Sequence, residues 1–147
     1  MLRKKSSGQS AKKSKPSKKK SHGSLVKSLD GVFSQWVRYS HAIDGRVKCF
    51  TCDVEKDPKE MQAGHFQSRG KYSTRWDWQN VKPQCVGCNM FKQGEQFKFA
   101  LNLDKLYGVG TAEKIMIRSN QMRKYSTVEL EDMISKYKEL LTDLKQV

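Results

Sequence analysis

Apolar side chains are nearly absent from the first 22 positions, which are mainly Lys, Ser, Gly and Gln, and then recur in short blocks separated by polar turns. A segment of that composition cannot bury enough surface to offset its ordering entropy, so residues 1–23 are expected to form a disordered tail. The folded part starts near Ser24. Asp30 is placed to cap a short helix in which Phe33, Trp36 and Val37 share a face. Residues 46–52 read as a strand, Asp53 to Lys59 as a polar turn, and Met61 to Phe66 as a second short strand that ends at His65. A loop rich in Ser, Gly, Lys and Arg follows from Gln67 to Thr74. From Asn89 onward the pattern turns helical: Phe97, Ala100, Leu101 and Asp104 form one row, with Leu103 and Leu106 beside it, and Gly108 and Gly110 end the helix. The last segment carries the clearest signal. Ser126 and Glu129 have capping-box spacing, and Leu130, Ile134, Tyr137, Leu141 and Leu144 follow as a heptad-like apolar seam. That seam either packs onto its own domain or pairs with a second chain. The pattern divides the chain into a tail (1–23), a small α+β domain (24–110) and a helical extension (111–147).

Charge sharpens this division. The 147 residues carry a formal net charge of +14. Nine of the 29 Lys and Arg lie in residues 1–20, where there is no acid, so 20 face 15 acids in the rest of the chain. The tail suits sequence-independent attraction to phosphates, with a solubilising or targeting segment as the bland alternative. Arg is scarce in it and no amphipathic pattern appears, which argues against a mitochondrial presequence. No run of about 18 apolar residues is present, so no membrane span is expected.

All four cysteines fall into two CxxC pairs, Cys49–Cys52 and Cys85–Cys88. Two such pairs place four thiolates around a tetrahedral ion, and no cysteine is left over. Disulfides would need an oxidising compartment, and no apolar signal segment is seen; a cytoplasmic location is expected instead. With four protein ligands and no open position, the zinc would be structural.

Between the pairs sits His65, the only histidine in that span, and Asn89 directly follows Cys88. Asn80 lies in the stretch that leads to the second pair, and Arg69, Lys71, Arg75, Lys82 and Lys92 make the surroundings basic. These types suit phosphodiester hydrolysis. A neutral imidazole is a general base whose pKa lies near working pH. A single hard divalent ion such as Mg²⁺ or Mn²⁺ takes oxygen ligands, which an Asn amide supplies, and stabilises the leaving oxygen. On this reading His65 is the base, Asn89 holds the catalytic metal, and Asn80 braces the loop that orients His65. The five cations are the candidate DNA contacts, or else part of a solvated loop.

The order CxxC, His, CxxC-Asn resembles HNH endonucleases, and endonuclease VII-type Holliday-junction resolvases among them. A closer resemblance is to the NinG/Rap family of lambdoid-phage recombination proteins. It is carried by Ala63-Gly64-His65-Phe66-Gln67-Ser68-Arg69-Gly70, by Arg75 to Asn80, and by Gln84-Cys85-Val86-Gly87-Cys88-Asn89. Leu106-Tyr107-Gly108 and Ser126-Thr127-Val128-Glu129-Leu130 through Tyr137 also look similar. The resemblance implies a small zinc-stabilised ββα-metal (HNH) core with flanking helices. It also implies a metal-dependent endodeoxyribonuclease that acts on branched DNA such as Holliday junctions and forks. Endonuclease VII-type sites carry an acid just before the catalytic histidine; here that position is Gly64. Asp77, Asp53 and Glu95 are candidate second ligands by chemistry alone.

Two other readings stay open: a general nicking or homing-type HNH endonuclease, and a non-catalytic zinc module that binds DNA. A resolvase makes two symmetric cuts and is therefore expected to be a homodimer. Of the tryptophans, Trp36 and one of Trp76 and Trp78 are expected in the core.

Overall fold

The computed structural model describes residues 15–146. Most of the expected tail lies outside the described residues. Residues 15–21 are exposed and carry no helix or strand. Helix α1 (His22–Ser40) then begins earlier than the apolar pattern suggests. Its N-cap is Ser21, whose hydroxyl accepts from the Ser24 N–H, rather than Asp30, which sits in mid-helix. Asp30 is free for a tertiary role there because the cap is already supplied.

Two antiparallel hairpins follow. Strands β1 (Val47–Lys48) and β2 (Glu55–Lys56) pair with Val47 opposite Lys56. Strands β3 (Gln62–His65) and β4 (Val81–Gln84) pair with Gln62 opposite Gln84 and His65 opposite Val81. β3 ends at His65, where the sequence placed the end of a strand. The expected strand at 46–52 is shorter, because the chain turns at Cys49 to enter the knuckle: the Cys49 N–H donates to Val54 O (2.8 Å), and Asp53 adopts a positive φ of 65°.

The helix expected from Asn89 is interrupted. A π-helical turn, Gly87–Phe91, comes first, and Gln93, Gly94 and Glu95 then take left-handed conformations (φ 53°, 84° and 49°) before helix α2 (Gln96–Tyr107) starts. The row that contains Phe97 and Leu101 is not the buried one. Phe97 and Leu101 face solvent, whereas Phe99 and Leu103 are fully buried against Phe50, Phe66, and Ala112 and Ile115 of α3 (Thr111–Ser119). Two apolar stripes run along α2, and the position of α3 decides which one is covered.

Helix α4 (Thr127–Lys145) has the capping box, with both reciprocal bonds formed. Its seam residues Leu130, Ile134, Tyr137 and Leu141 are buried with Leu25, Leu29, Phe33 and Val37 of α1, and Tyr137 meets Phe33 edge-on at 4.9 Å. The seam therefore packs within the chain, so it is not a free surface for a second copy. Trp36 packs on this core and Trp76 is buried in it, while Trp78 is half exposed. Among the described residues, no helix is long and apolar enough to cross a membrane.

Leu130 lies fully buried between α1 and α4. Leu130→Ala is expected to cost about 2–5 kcal/mol, the usual range for a leucine truncated in a core, read as a lowered urea midpoint with an unchanged m-value.

Candidate active site and zinc centre

The two knuckles bring the four cysteines together. The Sγ atoms of Cys49, Cys52, Cys85 and Cys88 all lie within 4.8 Å of one another, and Cys52 and Cys85 are 3.6 Å apart. A tetrahedral ion with zinc–sulfur bonds near 2.3 Å separates its sulfurs by about 3.8 Å, so the cluster has the size zinc needs. The Cys85 N–H points at Cys49 Sγ (3.3 Å), and the Cys88 N–H at Cys85 Sγ (3.4 Å), as donors to thiolates. Without a cation the set cannot all ionise: burial, reinforced by neighbouring thiols, pushes Cys52 up to about 12. The cluster can hold a metal such as zinc, and all four positions are filled by protein.

The second knuckle also positions Asn89. The Asn89 N–H donates to Cys85 O (2.9 Å), and its Nδ2 donates to Gln62 Oε1 on β3 (2.7 Å). The amide nitrogen is thus engaged, and among the described residues Asn89 Oδ1 has no hydrogen-bond partner. Asn89 lines an open cleft of about 400 Å³ together with His65, Asp30, Arg69, Gln93 and Gln96.

His65 is held from behind. Its Nε2 lies 2.9 Å from Arg75 O. A carbonyl can only accept, so Nε2 carries the proton and Nδ1 keeps the lone pair. Burial lowers the His65 pKa below the ordinary 6.5, against the raising effects of the Arg75 and Ala63 carbonyls and of Asp30. The imidazole is therefore neutral at pH 7. The Arg75 backbone is fixed in turn from α1: the Arg75 guanidinium makes a two-pronged pair with Asp30 (2.6 and 3.0 Å), and Trp76 Nε1 donates to the same carboxylate (3.0 Å).

Asn80 is fully buried, and it clasps the loop after His65. Its Oδ1 accepts from Gln67 N (2.7 Å), its Nδ2 donates to Gln67 O and Thr74 O (3.0 Å each), and its carbonyl accepts from Phe66 N. These four bonds tie the two ends of the loop together.

The basic residues separate into two groups. Arg69 lines the cleft, and Lys71 and Lys92 are exposed. Lys82 is not a surface cation. It is 1 % exposed, donates to Trp78 O (2.9 Å) and the Tyr107 hydroxyl, and lies over both rings. Burial drives its pKa down to about 8. Arg75 is committed to Asp30. None of the three acids named by chemistry alone lines the cleft. Asp77 pairs with Arg118 (2.6 Å), Asp53 belongs to the first knuckle, and Glu95 faces Lys92 and Lys98. The carboxylate that does line it is Asp30, far from the motif in sequence, and nothing in the local pattern marks it.

Gly64 has a physical reason to lack a side chain. A Cβ there would stand 1.9 Å from Gln84 Oε1, the only buried side-chain N or O atom without a partner among the described residues. Gln84 is itself pinned, since its Nε2 donates to Thr51 Oγ1 and Gly94 O (2.9 Å each). An acid cannot occupy position 64 while Gln84 holds that place.

Comparison with known proteins locates the chain. A family model described as "NinG: Bacteriophage Lambda NinG protein" matches residues 2–146. The chain belongs to the NinG family. Among its relatives are Protein ninG of Salmonella phage P22, 24% identical over 103 residues, and Protein ninG of Escherichia phage 933W, 26% identical over 103 residues. These alignments cover 69% of this chain and 50% of each relative, so the chain spans about half the length of the curated relatives it matches. No solved structure matches. The family membership agrees with the resemblance read from the motifs and says nothing further about chemistry.

Two outcomes are expected from this geometry. Cys88→Ser should lose bound zinc and cooperative thermal unfolding together, measured by metal analysis and calorimetry, because the cluster is what closes both knuckles. Gly64→Ala should destabilise by about 1–3 kcal/mol through overpacking against Gln84. The double variant with Gln84→Ala should show strong non-additivity in a thermodynamic cycle.

Proposed function

We propose that the chain is a metal-dependent DNA endonuclease of HNH type that cuts branched recombination intermediates such as Holliday junctions and forks. The observation that carries this is the state of His65. Its Nε2–H is engaged by the Arg75 carbonyl, which leaves a neutral Nδ1 as base in the same cleft as the unpartnered Oδ1 of Asn89. A structural histidine needs no such arrangement beside an oxygen donor.

Asn89 offers the cleft an amide oxygen that no protein donor occupies among the described residues, and such an oxygen suits a hard ion. Asn89 Oδ1 would hold Mg²⁺ or Mn²⁺, which supplies charge compensation on the departing oxygen when bound. The chain's own residues do the rest. His65 Nδ1 takes a proton from the attacking water, the water oxygen bonds to phosphorus, and the bond from phosphorus to the 3′ oxygen breaks. Asn80 and Arg75 keep the imidazole in its tautomer and place. Arg69, with Lys71 and Lys92, draws the phosphate backbone toward the cleft. The branched substrate rests on the motif resemblance. Paired cuts in a junction need two such clefts, hence a homodimer. Because the α4 seam is buried against α1, the two copies would meet through another face.

Labelled four-way junction, fork, linear duplex and single strand are incubated with and without Mg²⁺, beside His65→Ala. Paired, Mg²⁺-dependent cuts in the junction are expected, with loss of at least 100-fold in His65→Ala and unchanged DNA affinity. Equal cutting of plain duplex would make this a general HNH nuclease, and binding without cutting would leave only a zinc-stabilised DNA-binding module. The lowered His65 pKa fixes the pH dependence. The base form persists below pH 6.5, so kcat/KM should fall only as pH drops through a value under 6.5, rather than at it.

A further inference from the structure

The loop that gives Arg69 to the cleft also gives Tyr72 to a second pocket, of about 300 Å³, lined by His22, Tyr72, Arg123, Lys124 and Tyr125. Three separate segments converge on it: the first turn of α1, the loop after His65, and the stretch that enters α4. The two tyrosine rings are set by one buried residue. Both pack edge-on against Trp76, at 5.8 Å and 5.2 Å between centroids. The Tyr72 phenol has no hydrogen-bond partner among the described residues, while that of Tyr125 faces the Arg123 guanidinium. Arg123 lies over the Tyr125 ring (4.2 Å) and is oriented by Glu129 (2.9 Å), and Lys124 forms no ion pair among the described residues. No carboxylate lines the pocket. Both α1 and α4 begin at its edge, so the positive ends of two helices add to its cations.

Tyr125 precedes the N-cap of α4, and packing against the core explains its burial. Packing explains neither the unpartnered Tyr72 hydroxyl nor the gathering of Lys124 and the Glu129-paired Arg123 around a hollow that no carboxylate lines. Flat aromatic surface beside phosphate-binding cations is the chemistry of a nucleotide with its base unstacked. We infer that this pocket takes one unpaired nucleotide of the DNA substrate, its base against Tyr72 and Tyr125 and its phosphate against Lys124 and Arg123. The inference rests on the nuclease reading for its substrate. It adds that a strand leaving the cleft past Arg69 is read for being single, as it is at a branch point.

The test uses the full chain in Mg²⁺-free buffer and reads binding alone. Two probes are compared: a fork with 2-aminopurine in its single-stranded arm, and a blunt duplex of equal length. Tyr72→Leu should weaken fork binding roughly tenfold, the scale of one lost base stack, and abolish the 2-aminopurine fluorescence change, with duplex affinity unchanged. Tyr72→Phe should keep the fork preference. Lys124→Ala removes an exposed side chain without touching the core, and should weaken fork binding and lower its salt slope by about one. Unchanged fork affinity in both Tyr72→Leu and Lys124→Ala, or equal loss on fork and duplex, would overturn the pocket. If Tyr72→Leu does not fold, Lys124→Ala decides. A chain that shows the fork preference but never cuts would overturn only the nuclease reading; cutting with Tyr72 and Lys124 silent would overturn only the pocket.

Discussion

Four cysteine sulfurs lie within 4.8 Å of one another, and as thiolates they would repel unless a cation joined them. The rest of the site depends on this constraint. Apart from α1, the described residues around the cleft form a two-stranded hairpin and short helical turns, which give little apolar surface to fix a side chain. A bound metal would join the first knuckle to the second, so that β4 and the π-helical turn are held at a set distance from β1. Asn89 follows the last ligand directly, and its backbone N–H bonds to Cys85 O. Its placement is therefore inherited from the cluster.

The cluster also reaches the cleft by a second route. Thr51 Oγ1 lies 3.7 Å from Cys49 Sγ and accepts from Gln84 Nε2, which also donates to Gly94 O. Gly94 lines the cleft in the left-handed turn that separates Asn89 from α2. Gln84 can lie across β3 only because position 64 has no Cβ. The missing acid beside the histidine and the buried glutamine of the opposite strand are thus one feature. Gly64 yields its space to the strut that connects the cysteine cluster to the cleft floor.

His65 is organised from the other direction. Asp30 on α1 fixes Arg75 and Trp76, the Arg75 carbonyl fixes the imidazole, and Trp76 orients the two tyrosines of the neighbouring pocket. Since α1 is itself held by α4, the terminal helices are part of the site's support rather than appendages to it. A division at residue 110, natural from composition, cuts through this core, because the residues that bury α1 lie beyond it.

The cysteine quartet, the strand ending at His65, the capping box of α4 and the NinG family were all legible in the sequence. Each depends on spacing a few residues long or on a periodic pattern, and local geometry translates such spacing directly into structure. The choice of stripe buried on α2, the partner of the α4 seam, the burial of Lys82 and the arrival of Asp30 in the cleft were decided only by the tertiary fold. In each of these the residue type was compatible with two environments. Lys82 is a plausible phosphate contact by charge, yet β4 points it at Trp78 and Tyr107. Asp30 has the look of a helix cap, yet Ser21 takes that role and α1 turns the carboxylate toward Arg75. Which environment each side chain meets is set by contacts with other elements, 45 positions away for Asp30 with Arg75 and 25 for Lys82 with Tyr107, and no local pattern encodes those.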